Sequence, residues 1–296
     1  MNPELQRRIW TDVTPGRLGF LAIVLAIVLA VAWALPHPDD KLSTVAGTAA
    51  AIFFVLTVLW GGRNAGEAIS ADVRDRTWDL QRMSALSATS MAFGKFAGAT
   101  LFVWIGAAVC LAVMAIAPAA ALLDIAIAPE GPWPKLFALW RMVGGALLAQ
   151  VAAFVAAILA MRRGVSGVRW SLVVSVGAAL AIWTLLQGTT GGRAAFDFDE
   201  TGVLEGWSTT SWWGLEVPSA LFVSAVIAIY IVLGAIAAVR LIRRDMLERG
   251  DGLFLGVVAV ITGLLFGGFA EGGAGDADSA AAAIGVAATV VVAIAW

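Results

Sequence analysis

The sequence predicts an all-α, polytopic membrane protein with about eight transmembrane helices and one amphipathic cytoplasmic helix between spans two and three. Three observations carry that reading. Of the 296 residues, 60% are hydrophobic and 14% charged, with a mean hydropathy of +0.90, whereas a soluble domain carries about 25% charge. The apolar residues come in runs close to the roughly 20 that a helix needs to cross a bilayer. The basic residues gather on alternate loops, which is how orientation in a membrane is set.

Residues 1–17 open with Asn2 as an N-cap and Pro3 at the first helical position. Leu5, Ile9 and Val13 then recur at four-residue spacing with Arg7 and Arg8 opposite. This predicts a short helix in the membrane interface with Trp10 at headgroup depth; a loose chain start is the alternative. Spans follow at Leu18–Leu35, Thr44–Trp60, Phe96–Ala117, Leu136–Met161, Trp170–Gln187, Ser219–Val239, Leu253–Phe269 and Ser279–Trp296. Residues 18–249 therefore hold six spans, and residues 250–296 hold two more.

Between spans two and three lies the longest polar segment, Ile69–Lys95. Ile69, Val73, Leu80, Met83 and Leu86 fall near one helical stripe, while Asp72, Arg74, Asp75, Arg76, Asp79 and Arg82 take the rest of the surface. No Gly or Pro interrupts before Gly94. Such a helix cannot cross a bilayer with its six charges, so it lies at the surface or binds a soluble partner. With the N-terminus in the cytoplasm, 15 of the 19 Lys and Arg fall on the inner side. Lys41, Lys135, Arg141 and Arg193 fall outside. That split puts the Ile69 segment in the cytoplasm; the expected location of this multi-pass protein is the cell inner (plasma) membrane.

The long outer loop, 188–216, is acidic, and Trp207, Trp212 and Trp213 precede the sixth span as interfacial anchors. Asp197-Phe-Asp199-Glu-Thr-Gly202 resembles the start of a calcium loop, but position twelve is Ser208 rather than a bidentate Glu. A solvated acidic loop is the better reading. Cys110 and His37 are the only residues of their types. A disulfide within the chain, a thiolate metal site and a haem-bearing bundle are therefore not expected.

No catalytic constellation appears. The spans offer Gln150 with scattered Ser and Thr, where a proton-driven carrier would bury ionisable groups. Nor is there a Gly-x-x-x-x-Gly-Lys-Ser/Thr phosphate loop. Arg141, a turn and a half past Lys135, either snorkels outward or contacts an anion at the outer mouth. Gly94-Lys-Phe-Ala-Gly98 and Gly263-Thr-Leu-Leu-Gly267 have the small-x-x-x-small spacing of close helix pairs. Trp60, Trp104 and Trp183 read as lipid or packing contacts.

The order of residues in the polar segment resembles that of ABC transporter permease subunits of the type-two exporter class. Their pattern is roughly I-S-x-E-x-x-x-G-T-x-E-L-L-x-x-x-P-L-S, then a Gly-Lys pair opening the third span. Ile69, Ser70, Thr77, Leu80, Leu86, Ser87, Gly94 and Lys95 match it, and Asp72 and Asp79 stand for the two glutamates. Arg76 replaces the Gly, Ala85 the Pro and Trp78 an aliphatic residue. The resemblance implies that residues 69–95 form a coupling helix. Asp72, Arg74, Asp75, Arg76, Thr77, Trp78, Asp79, Leu80, Arg82 and Lys95 would face a separate ATPase subunit. It also implies short re-entrant helices in the 188–216 loop. On this reading residues 18–249 are a permease core pairing with a second permease half. The chain itself is no enzyme and holds no cofactor, since ATP and Mg would be bound by the ATPase. Membrane lipid is an expected partner and nucleic acid is not. The alternative is a scaffold or assembly subunit of a membrane complex that recruits a soluble partner.

Leu253–Trp296 aligns on Leu18–Trp60 without large gaps, so the last two spans read either as the start of a second permease half or as one more Ala/Val/Gly-rich hairpin. A longer natural chain would account for the first.

Overall fold

In the computed structural model, apolar helices pack along one another. The structure describes residues 2–34, 41–83, 86–116, 133–162, 173–174, 176–177, 196–198, 204–207, 209–246, 256–258, 260–262 and 265. Helix α1 (Pro3–Asp12) starts as its sequence directs: Asn2 accepts from the Glu4 amide at 3.0 Å, and Pro3 occupies the first turn. Helix α2 (Pro15–Ala34) is apolar all round. Helix α3 (Lys41–Phe54) runs into a π-helical segment (Val55–Trp60) and on into α4 (Gly61–Arg74). A short α5 (Trp78–Arg82) leads to α6 (Ala88–Ile116). Helices α7 (Trp133–Arg162) and α8 (Ser219–Asp245) follow.

Among the described residues, five helices are long and apolar enough to cross a membrane: Pro15–Ala34, Lys41–Arg74, Ala88–Ile116, Leu136–Met161 and Leu221–Asp245. They overlap the first, second, third, fourth and sixth predicted spans, and the chain is membrane-embedded and mainly helical. The fifth and seventh predicted spans lie largely outside the described residues, and Ser279–Trp296 lies wholly outside. Within the seventh, the Thr262 hydroxyl is 3.1 Å from the Tyr230 hydroxyl of α8.

At 34 residues, Lys41–Arg74 measures about 50 Å against a hydrocarbon core of about 30 Å. Its α4 end therefore projects past the apolar layer, which is why α4 is amphipathic where α3 is not. Around that end Ala68, Ile69, Trp78, Met91, Phe154, Ile158 and Ile242 form one apolar cluster. A second, at the level of α2, gathers Leu21, Leu25, Phe53, Leu56, Val103, Cys110 and Met114. Helix α7 packs against both α4 and α8.

Two expectations change. The segment Ile69–Lys95 is not one helix: α4 stops at Arg74, Asp75–Thr77 turn, and α5 begins at Trp78. The described parts of the 188–216 loop are strands rather than re-entrant helices. Strand β1 (Phe196–Phe198) pairs antiparallel with β2 (Leu204–Trp207), and β3 (Thr209–Trp212) with β4 (Leu215–Pro218). The β3–β4 loop is two residues long, with φ of +50° at Trp213 and +69° at Gly214. Left-handed residues at both loop positions suit the twist of a tight hairpin. The β1–β2 pairing also opposes the calcium-loop likeness, since Asp197 sits across from Gly206 in a ladder.

Candidate functional site

The site is built where α4 ends. Arg76 donates its amide to the Val73 carbonyl at 3.2 Å, and Thr77 donates to the Asp72 carbonyl at 2.9 Å. With Arg76 at φ +56°, this is a Schellman cap. Its left-handed residue is usually glycine, and it stands where the resembled pattern has glycine. Thr77 then starts the next helix, its carbonyl accepting from the Gln81 amide at 3.0 Å. The cap thus turns the chain sharply without Gly or Pro.

Beneath the turn lies a buried ionic cluster. Lys95, fully enclosed on α6, donates to Asp72 Oδ2 and lies 3.6 Å from Glu4 Oε1. Its ammonium also sits 5.6 Å from the Trp78 ring centroid, within cation–π range. Thr77 Oγ1 donates to Asp72 Oδ1 at 3.3 Å, and Arg7 donates to Glu4 Oε1 at 2.7 Å. The Arg7 guanidinium is held above its ordinary pKa, first by that bond to Glu4, against the opposing effect of partial burial. Two carboxylates thus face the enclosed Lys95 and the more exposed Arg7, a pairing that offsets the cost of burying charge.

Helix α1 reaches this cluster because α6 has no side chain in its way. A Cβ on Gly94 would lie 2.8 Å from Asn2 Oδ1, and one on Gly98 would lie 2.7 Å from the Arg8 Cβ. Asn2 also donates to the Ser90 carbonyl at 2.6 Å. The Gly94–Gly98 spacing is therefore the seat of the N-terminal helix.

Of the residues expected to face a partner, Asp72, Trp78 and Lys95 are turned inward. This corrects the reading of Asp72 on an outward polar arc: its partner Lys95 lies on another helix, which periodicity within one segment cannot register. Arg74, Asp75, Arg76 and Leu80 are exposed, and Thr77 is half-buried. The side chains of Asp79 and Arg82 lie outside the described residues. The expected apolar stripe is also redistributed: Ile69 is buried, while Leu80 and Met83 are 66% and 77% exposed. Arg141 is half-buried on α7. Sequence reasoning missed Glu4, because an acid in a first helical turn already has a reason to be there in the helix dipole.

A second polar knot lies within the spans. The Gln150 amide nitrogen donates to the Thr57 carbonyl at 2.8 Å, and its oxygen accepts from Trp104 Nε1 at 2.9 Å. Thr57 is in the π segment, whose wider turn frees a carbonyl for this bond. Trp104 is thus a hydrogen-bond donor as well as a packing residue. Among the described residues no group of three or more His, Cys, Asp or Glu could hold a metal ion.

No family model, curated protein or solved structure matches this chain.

Proposed function

We propose that this chain is the membrane-spanning subunit of an ABC exporter of the inner membrane, with its N-terminus in the cytoplasm. The supporting observation is the exposed α4–α5 corner carried on a buried ionic anchor. Arg74, Asp75, Arg76, Leu80 and Met83 present mixed charge around exposed apolar side chains. An anionic inner leaflet favours a mainly basic helix, whereas mixed charge with an apolar centre suits a protein partner. The partner is an ATPase subunit that binds ATP and Mg, and a second permease half completes the path. When the ATPases close, they push on the corner. The push travels up the Lys41–Arg74 helix, and through Lys95 into α6 and α1.

Mild extraction from native membranes, with identification of what co-purifies, tests this. A phosphate-loop ATPase recovered in stoichiometric amount is expected. It is lost from a variant carrying Arg74→Glu, Arg76→Glu and Leu80→Glu, which leaves Trp78 and Lys95 in place. Recovery of other membrane subunits without an ATPase would turn the reading to a scaffold subunit, for which the same corner recruits a different soluble protein.

A further inference from the structure

Between α1, the start of α2, α4 and α6 lies a cavity of about 620 Å³, within the range of small-molecule sites. Its two ends differ. One end is apolar, formed by Phe20, Trp60 and Phe102; Trp60 ends the π segment, where interfacial aromatics belong. The other end is basic: Arg8, Arg17 and Arg74 line it with Asp12 and Glu67.

The arginines of the lining outnumber its acids, although Arg74 Nε also lies 3.6 Å from Asp75 Oδ1. Glu67 is engaged by Arg63 at 3.2 Å, outside the lining, and Asp12 is shared by Arg17 at 3.4 Å and Arg8 at 4.0 Å. Such long, solvent-reached pairs hold their partners weakly. Arg8 Nε is buried with no hydrogen-bond partner among the described residues, and Arg8 Nη2 reaches the Ala68 carbonyl only at 3.4 Å. Arg17 lies one turn from Phe20 on α2, so basic and apolar side chains adjoin in one lining.

We propose that this cavity binds an acidic phospholipid of the adjoining leaflet. The phosphate competes with Asp12 for Arg8 and Arg17, and the first part of an acyl chain runs along Phe20, Trp60 and Phe102. The inference needs a membrane-embedded chain but no ATPase partner, so it stands or falls separately from the exporter reading. Its consequence is that lipid composition acts on the seating of α1, and through Glu4 on Lys95.

The test uses the full chain in phosphatidylcholine vesicles doped with phosphatidylglycerol carrying a photoreactive group near the top of one acyl chain. Labelled peptides are then mapped by mass spectrometry. Labels are expected to concentrate on the peptides holding Phe20, Trp60 and Phe102. Arg17→Glu should lower that labelling about tenfold, since each surface cation contributes to anionic-lipid binding and reversal adds repulsion. Gly16→Trp gives a second route: Gly16 lines the cavity with nothing within 4 Å of its Cβ position, so a side chain can start there and occupy the cavity, and labelling should fall as far. Equal labelling by a phosphatidylcholine probe, or labelling that neither variant lowers, would overturn the proposal. Displacement of the probe by inorganic phosphate alone would also overturn it, showing a phosphate site rather than a lipid site.

Discussion

Two polar knots fasten the Lys41–Arg74 helix to its neighbours, and they use different chemistry. At Thr57 the fastening is neutral: one Gln150 amide spans a carbonyl of the π segment and the Trp104 indole. At Asp72, about 22 Å further along, it is ionic, with Lys95 between Asp72 and Glu4. Position in the bilayer accounts for the difference. In hydrocarbon an ion costs far more than an amide whose donor and acceptor are both used. Past the apolar layer, charges pair across three elements that meet there. The neutral knot holds spans together, whereas the ionic knot joins the exposed corner to α6 and to the N-terminal helix.

The contrast can be broken most severely at Lys95. Lys95→Met strands Asp72 and leaves Glu4 with Arg7 alone, so a loss of about 3–5 kcal/mol is expected, read as a large drop in melting temperature in detergent. Adding Asp72→Asn should recover part of that loss, and failure to recover any would mean that the two residues are not partners. The neutral knot is attacked at Gly61, where a Cβ would lie 2.3 Å from Gln150 Nε2. Gly61→Ala pushes the amide off Thr57 and Trp104 and should cost about 2 kcal/mol. This smaller loss should be insensitive to salt and pH. A third change sharpens the contrast by improving the cap above the ionic knot. Arg76→Gly relieves a left-handed non-glycine residue and should raise stability by about 1 kcal/mol; a decrease would mean that the φ of +56° is not adopted in the membrane. The smallest effect is expected outside both knots. Arg74→Glu with Leu80→Glu should move stability by no more than about 0.5 kcal/mol, while partner recovery falls. A melting temperature that drops with it would mark the corner as structural.

Much of the helical frame was legible because hydrophobic length alone reports a span. The start of α1 was legible too, since Asn2 and Pro3 act locally. The break at Arg76 was not, for nothing in Val73-Arg-Asp-Arg-Thr77 forbids a continuing helix; the cap forms because Trp78 drops into the cluster with Ile69, Met91 and Phe154. The inward turn of Asp72 was hidden for a related reason, its cation being 23 residues away. The β3–β4 hairpin escaped notice because Trp213 holds a loop position usually given to Asn or Gly. Gln150 stood out in the sequence as a lone polar residue, but its partners came only with the fold.

The π segment also sets an angle. Each α-helical residue advances the azimuth by about 100° and the axis by 1.5 Å, so the wide turn at Val55–Trp60 fixes the rotational phase of everything after it. Asp72 points at Lys95, and Gly61 faces Gln150, only in that phase. Deleting one residue from the α-helical stretch between Gly61 and Asp72 would leave α3 seated and α4 still helical, yet swing Asp72 by more than a quarter of a revolution relative to Gly61. The helix is thus a crankshaft with its offset cast in: a torque applied at the corner is felt at Gln150 as rotation as well as thrust.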